Sequence, residues 1–179
     1  MCAVGTLLDE RNFARVERLK GGLARECGLT KDQLASLPHF SYQVADHYDL
    51  ERVEPVLSRC AGATTVFTIR TSGVGIFSGE SFVIFALVVR SPELSRLHQR
   101  IWAEMEPLDI APSIYYRPDR WVPHITLAHL GGEMDEVART VRFLSRSEFE
   151  WEVTADNLAV ICDTNGQQEV RARFPLRPE

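Results

Sequence analysis

Two short strings in the chain carry the chemistry: Pro38-His39-Phe40-Ser41 and Pro123-His124-Ile125-Thr126, each a histidine followed two residues later by a hydroxyl. Side chains two apart on a strand share a face, so each string presents an imidazole beside a hydroxyl while Phe40, Tyr42, Ile125 and Leu127 turn the other way. Histidine titrates near neutrality, and two of them can divide a hydrolysis, one taking a proton from water and the other giving one to the departing oxygen. Ser41 and Thr126 can then donate to the non-bridging oxygens of a phosphoryl group held between them. That scheme needs neither metal nor cofactor, and the sequence has no clustered carboxylates of the kind that hold a divalent ion.

One His-x-Thr on a strand says little, because most histidines on a sheet face are solvent-exposed or satisfied by neighbours. Here the string occurs twice, each time after a proline and each time opening an alternating segment, HFSYQVA and HITLAHL. The surroundings recur too. PHFSYQVADHYDL at 38–50 matches PHITLAHLGGEMD at 123–135 in kind, and FTIRTSGVGIF at 67–77 lines up with WEVTADNLAVI at 151–161. Repetition at nearly half the chain length points to one domain over residues 1–179 made of two related lobes, with repeats near 38–90 and 123–176.

The elements that must position the two strings are legible from periodicity. CAVGTLL reads as a strand, and Asp9 caps a helix carrying Phe13, Val16, Leu19, Leu23 and Cys27, weakened in its middle by Gly21-Gly22. A second helix follows the first string through Leu50, Val53, Leu57 and Cys60. TTVFTIR and VGIF read as strands broken by Ser72-Gly73, and SFVIFALVV as a strongly apolar strand. Ser91 and Pro92 start a third helix striped by Leu94, Leu97, Ile101 and Met105, and Val137, Val141 and Leu144 mark a fourth. Three strand-like pieces, EFEWEV, LAVICD and QEVRARFPL, finish the chain, the last two separated by the turn signal Asn165-Gly166. The expected fold is α+β: a bilobal, pseudo-twofold arrangement of two mainly antiparallel sheets with helices on the outer faces and a central cleft.

With both strings in place, the sequence resembles the 2H phosphoesterase superfamily, the 2′-5′ RNA ligase and RNA 2′,3′-cyclic phosphodiesterase-like proteins, which carry two HxT/S motifs on a bilobal fold. The resemblance covers essentially the whole chain. It implies that His39 and His124 are the acid/base pair, that Ser41 and Thr126 bind phosphate, and that a 2′,3′-cyclic phosphate is opened to a 2′-phosphate without a metal. Cleavage or ligation of 2′-5′ linkages, and a non-catalytic nucleotide-binding module, are the alternatives. Many relatives read HxTLxR at the second motif, where this sequence reads HITLAH with His129, and Ser41 stands where threonine is commoner; either hydroxyl donates the same bond.

Arg120 shares strand parity with His124 and is a candidate substrate contact, as is Tyr116; Tyr115, Trp121 and Arg70 are weaker candidates. His129 is five residues from His124, an odd spacing that places it on the opposite strand face. His47 is eight from His39, roughly 26 Å along a strand at ~3.3 Å per residue. Neither is expected to join a metal site, and His98 is read as an ordinary helix residue.

The chain has 179 residues with 20 Lys+Arg against 25 Asp+Glu, a formal net charge of -5. That balance argues against a partner such as long duplex nucleic acid and favours a nucleotide or short RNA. No stretch reaches the roughly 18 apolar residues of a membrane span, so a cytoplasmic, monomeric protein with no membrane partner is expected. The cysteines Cys2, Cys27, Cys60 and Cys162 form no CxxC and are read as small buried hydrophobes, without a disulfide framework.

Overall fold

Three of the helices begin where a short polar side chain can satisfy a free backbone N–H. Asp9 accepts from the Asn12 amide at the head of α1 (Glu10–Gly22), Asp49 from Glu51 at α2 (Leu50–Gly62), and Ser91 from Leu94 at α3 (Pro92–Met105). The fourth, α4 (Met134–Leu144), has no such side-chain bond. These positions come from a computed structural model that describes residues 1–35, 37–108, 110–164 and 166–178.

Gly21-Gly22 does not interrupt its helix. The chain continues past Gly22 into a wider π turn, Leu23–Cys27, and leaves it at Gly28 with φ 74°. Gly22 is needed for packing: a Cβ there would lie 2.3 Å from Cζ of Phe143 on α4.

The strands are β1 (Cys2–Leu7), β2 (His39–Ala45), β3 (Phe67–Phe77), β4 (Phe82–Val88), β5 (His124–Leu130), β6 (Glu152–Ala155), β7 (Asn157–Thr164) and β8 (Gln167–Pro175). They pair antiparallel in the order β6-β3-β4-β5-β2-β1-β7-β8. Ser72-Gly73 is therefore not a break between strands but an irregularity inside β3, between Thr71 and Val74, with Gly73 at φ 73°. The other expected turn, Asn165-Gly166, involves Asn165, which lies outside the described residues.

The α+β class and antiparallel pairing agree with the sequence reading, and the two sheets turn out to be joined. Each half of the order holds four strands, and the halves meet where β2 pairs β5 through Phe40↔Ile125. Beyond that pair the strands separate, and the backbone groups at their edges find other partners. The Ser41 carbonyl accepts from Trp121 Nε1 at 2.9 Å, and the Tyr42 carbonyl from Trp102 Nε1 at 3.1 Å and His98 Nε2 at 2.9 Å. Val44 accepts from Ser113 N–H at 2.7 Å, and on the β5 side Leu127 accepts from Ala35 N–H at 3.2 Å.

The halves of the chain do not coincide with the halves of the sheet. β3 leaves the side of β1 and β2 to pair with β4, while β7 leaves the side of β4 and β5 to pair with β1. Helices cover one face: α2 packs on β7, β8 and α3, α3 on β2, α1 on β5, and α4 on the Leu23–Cys27 turn. Phe40, Tyr42, Ile125 and Leu127 lie in that core, as their alternation predicts.

The reading of all four cysteines as separate buried hydrophobes holds for Cys27 and Cys60 but not for Cys2 and Cys162, which form a disulfide. They stand directly opposite one another in the β1–β7 pairing, a proximity across 160 residues of sequence that spacing alone does not reveal.

Candidate active site

Because β2 and β5 run antiparallel with Phe40 opposite Ile125, the flanking residues are fixed: His39 faces Thr126 and Ser41 faces His124. All four share the face opposite the buried Phe40 and Ile125. The two imidazoles thus occupy one diagonal of a small square and the two hydroxyls the other, with diagonals of roughly 7–8 Å for such a pairing. Among the described residues neither hydroxyl has a hydrogen-bond partner within the chain, which leaves both for a ligand.

The rings are held alike. His39 Nδ1 is 2.7 Å from the Leu37 carbonyl, and His124 Nδ1 is 2.7 Å from the Val122 carbonyl. A carbonyl only accepts, so each Nδ1 carries the proton and each neutral ring keeps Nε2 unprotonated. The prolines explain the repeated dipeptide. Pro38 and Pro123 fix the bend that aims the carbonyl before them back at the ring after them, while their own carbonyls accept from Leu8 N–H at 3.3 Å and Val88 N–H at 3.0 Å.

Burial holds both imidazoles below the usual histidine pKa of 6.5, against the opposing pull of those carbonyls. Repulsion from His124 lowers His39 further, and repulsion from His129 does the same to His124.

That last coupling exposes an error of parity. In β5 the pairing runs Phe85↔Thr126 and then Ile84↔Ala128, so Leu127 is an extra residue, a β-bulge. β4 is regular across 83–87, and His129 pairs Val83 while His124 pairs Leu87. The bulge therefore turns His129 onto the face of His124, not away from it. β2 carries the same device one residue after Ser41: Gly5 pairs Ser41 and Val4 pairs Gln43, with Tyr42 extra.

The remaining candidates are dispersed. Arg120 lies in the turn that precedes β5, where its amide bonds the Arg117 carbonyl at 2.8 Å, so strand parity does not govern it. Tyr116 is half-buried in the helical turn Ile114–Tyr116, and its carbonyl, not its ring, makes the notable contact, accepting from His98 Nε2 at 3.0 Å. Tyr115 is exposed, Trp121 is in the core stacked on His98 at 3.8 Å, and Arg70 pairs with Glu152 across β3–β6. His47 lies beyond the end of β2 and is exposed. Among the described residues no three His, Cys, Asp or Glu side chains are grouped to hold a metal.

Two aromatic residues escape the sequence reading. Phe85 pairs Thr126 on the site face, its ring centroid 5.0 Å from that of His124, and Phe77 lies 4.9 Å from His124 and 4.2 Å from Phe85. Gly75, opposite Phe85, makes room: a Cβ there would lie 2.2 Å from Phe85 Cε2. A glycine at fixed pairing distance from a phenylalanine is the available signal, but it needs the strand register to be read.

Comparison with known proteins bears on the same residues: the family model described as the 2′-5′ RNA ligase superfamily matches residues 8–167, a span that includes both histidine motifs. The chain belongs to the 2′-5′ RNA ligase superfamily. Solved structures with the superfamily's fold cover nearly all of it. The protein TT0787 of Thermus thermophilus is 18% identical, with TM-score 0.68 over 99% of this chain and 98% of its own. Apo LigT of E. coli is 15% identical, with TM-score 0.63 over 98% and 96%. LigT has also been crystallised with 3′-AMP, at 15% identity and TM-score 0.59 over the same shares. At such identities the likeness is one of fold. No curated protein gives a significant match.

Proposed function

We propose that this superfamily member is a metal-independent cyclic phosphodiesterase that opens a 2′,3′-cyclic phosphate on a nucleotide or RNA end. The observation that carries the reading is the pair of imidazoles with Nδ1 tied to the Leu37 and Val122 carbonyls, with both Nε2 atoms and the two hydroxyls on the other diagonal unengaged among the described residues. In this reading His124 Nε2 takes a proton from water as the water oxygen bonds to phosphorus. The bond from phosphorus to the sugar O3′ breaks, and protonated His39 gives its Nε2 proton to that oxygen, leaving a 2′-phosphate. Ser41 and Thr126 donate to the non-bridging oxygens, where charge gathers as the two reacting oxygens come into line. The Phe77–Phe85 pair beside His124 offers the nucleoside an apolar surface, which favours a nucleotide over an inorganic or sugar phosphate.

The test supplies adenosine 2′,3′-cyclic phosphate and a 2′-5′-linked dinucleotide in excess EDTA to the wild type and to His39→Ala and His124→Ala. Each substitution should lower turnover by about 10²–10⁴-fold while wild-type turnover survives chelation. Activity retained in both variants, or abolished by EDTA, removes the two-histidine mechanism; turnover of the dinucleotide alone would reassign the substrate; binding without product would leave a binding module.

A further inference from the structure

The square of His39, Ser41, His124 and Thr126 contains no permanent positive charge, yet a phosphate anion must lie on it, and at an RNA end a second phosphate follows close behind. Strand pairing leads from Ser41 to Gly5, from Gly5 to Ala159, and from Ala159 to Arg173. Paired residues on neighbouring strands project from the same face, so Arg173 stands on the face that carries both histidines. Three strand spacings of ~4.8 Å put its backbone roughly 14 Å from that of Ser41. Between them are only a glycine and an alanine, so no side chain in that row separates the guanidinium from the site. Gly5 cannot be enlarged cheaply, since a Cβ there would lie 2.5 Å from the Phe40 carbonyl oxygen.

The Arg173 guanidinium is held beside Asp156, at the end of β7 that meets Leu7. Its Nη2 is 3.6 Å from Asp156 Oδ1, and the same oxygen accepts from Asn157 Nδ2 at 2.6 Å. Asn157 in turn brackets the backbone of Leu7, accepting from its N–H at 3.1 Å and donating to its carbonyl at 3.0 Å, and Leu7 pairs His39. Near Arg173 this face carries the apolar Leu7, Ala3, Ile161 and Val170, and near His124 it carries Val83 and Leu87, with His129 beyond. The Asp156 pair is long and more than 40% exposed on both sides, so it yields readily to a phosphate able to take the guanidinium bidentately.

We propose that Arg173 binds the 5′-phosphate of the nucleotide whose 2′,3′-cyclic phosphate lies between His39 and His124. The preferred substrate is then the 3′ end of an RNA rather than a free nucleoside 2′,3′-cyclic phosphate, a conclusion that rests on the function proposed above.

The experiment compares kcat/KM for adenosine 2′,3′-cyclic phosphate, the same compound carrying a 5′-phosphate, and a 3′-5′ diadenosine ending in a 2′,3′-cyclic phosphate. The wild type should prefer both 5′-phosphorylated substrates by roughly tenfold, chiefly through KM. Arg173→Gln should bring that ratio close to one, Arg173→Lys should restore part of it, and Arg171→Gln, which removes an equal charge two residues away, should leave it intact. No preference in the wild type, a preference that survives Arg173→Gln, or an equal loss in Arg171→Gln overturns the assignment. Failure of the wild type to turn over any of the three refutes the proposed function, and this assignment falls with it; a thermal unfolding scan confirms that each variant is folded.

Discussion

Trp121 donates through its indole N–H to the Ser41 carbonyl at 2.9 Å, and so ties the entry to one histidine motif directly to the backbone of the other. The next residue, Val122, supplies the carbonyl that holds His124. The ring is 2% exposed, stacked on His98 at 3.8 Å and covered by Arg90 at 5.6 Å, so its position is set before any ligand arrives.

Trp121→Phe keeps most of the apolar ring and removes the donor. Leaving the Ser41 carbonyl unpaired should cost about 1–3 kcal/mol in chemical denaturation. Because β2 and β5 meet through one residue pair, loss of this tie should also lower kcat more than it raises KM. A variant with wild-type kcat would show that the seam is positioned by Phe40↔Ile125 alone.

Both catalytic candidates have pKa values held below 6.5, which fixes the direction of the pH profile. The base must be neutral, so activity rises as pH rises through its pKa; the acid must be protonated, so activity falls as pH rises through its own. With both values lowered, kcat/KM should trace a bell whose maximum lies below the ordinary histidine pKa of about 6.5. A profile still rising above about pH 7 would contradict this arrangement.

His98 gives a separate, structural pH dependence. It is fully buried, its Nε2–H points at the Tyr42 and Tyr116 carbonyls, and burial pushes its pKa from 6.5 to about 4. The folded state therefore resists protonation more than the unfolded chain does. Its contribution is fully present above pH 6.5 and is lost as pH falls toward 4, a decline on the order of 3 kcal/mol at 1.36 kcal/mol per pH unit. Denaturant titrations of the wild type and His98→Gln between pH 4 and 7 should show a shallower slope in the variant; parallel slopes would assign the acid sensitivity to other groups.

The disulfide can be counted chemically. Unfolded without reductant, the chain should expose the thiols of Cys27 and Cys60, and after reduction those of Cys2 and Cys162 as well. Because the bond closes a loop of 160 residues, Cys162→Ser should lower stability by about 2–5 kcal/mol. All four thiols reacting before reduction would mean the pair is open in solution.

Much of the fold is written in local pattern. Period-two alternation marks β2 and β5, the caps Asp9 and Ser91 mark α1 and α3, and the recurrence of Pro-His-x-Ser/Thr singles out the square at the seam. What stays hidden depends on which strand lies next to which. A bulge is defined by its partner, so parity misplaces His129, and it gives Arg120 a strand position before the strand begins. Cys2 and Cys162, Phe85 beside His124, and the row from Ser41 to Arg173 are likewise products of register across distant segments.

The crossing of β3 and β7 to opposite sides makes the two parts of the chain depend on one another. If the chain were severed in the connection between Phe77 and Phe82, neither piece would hold a complete four-stranded half: the first would keep β1 and β2 without β7, the second β4 and β5 without β3. Each piece would also carry one histidine motif. The two fragments would thus each need the other to complete their halves of the sheet.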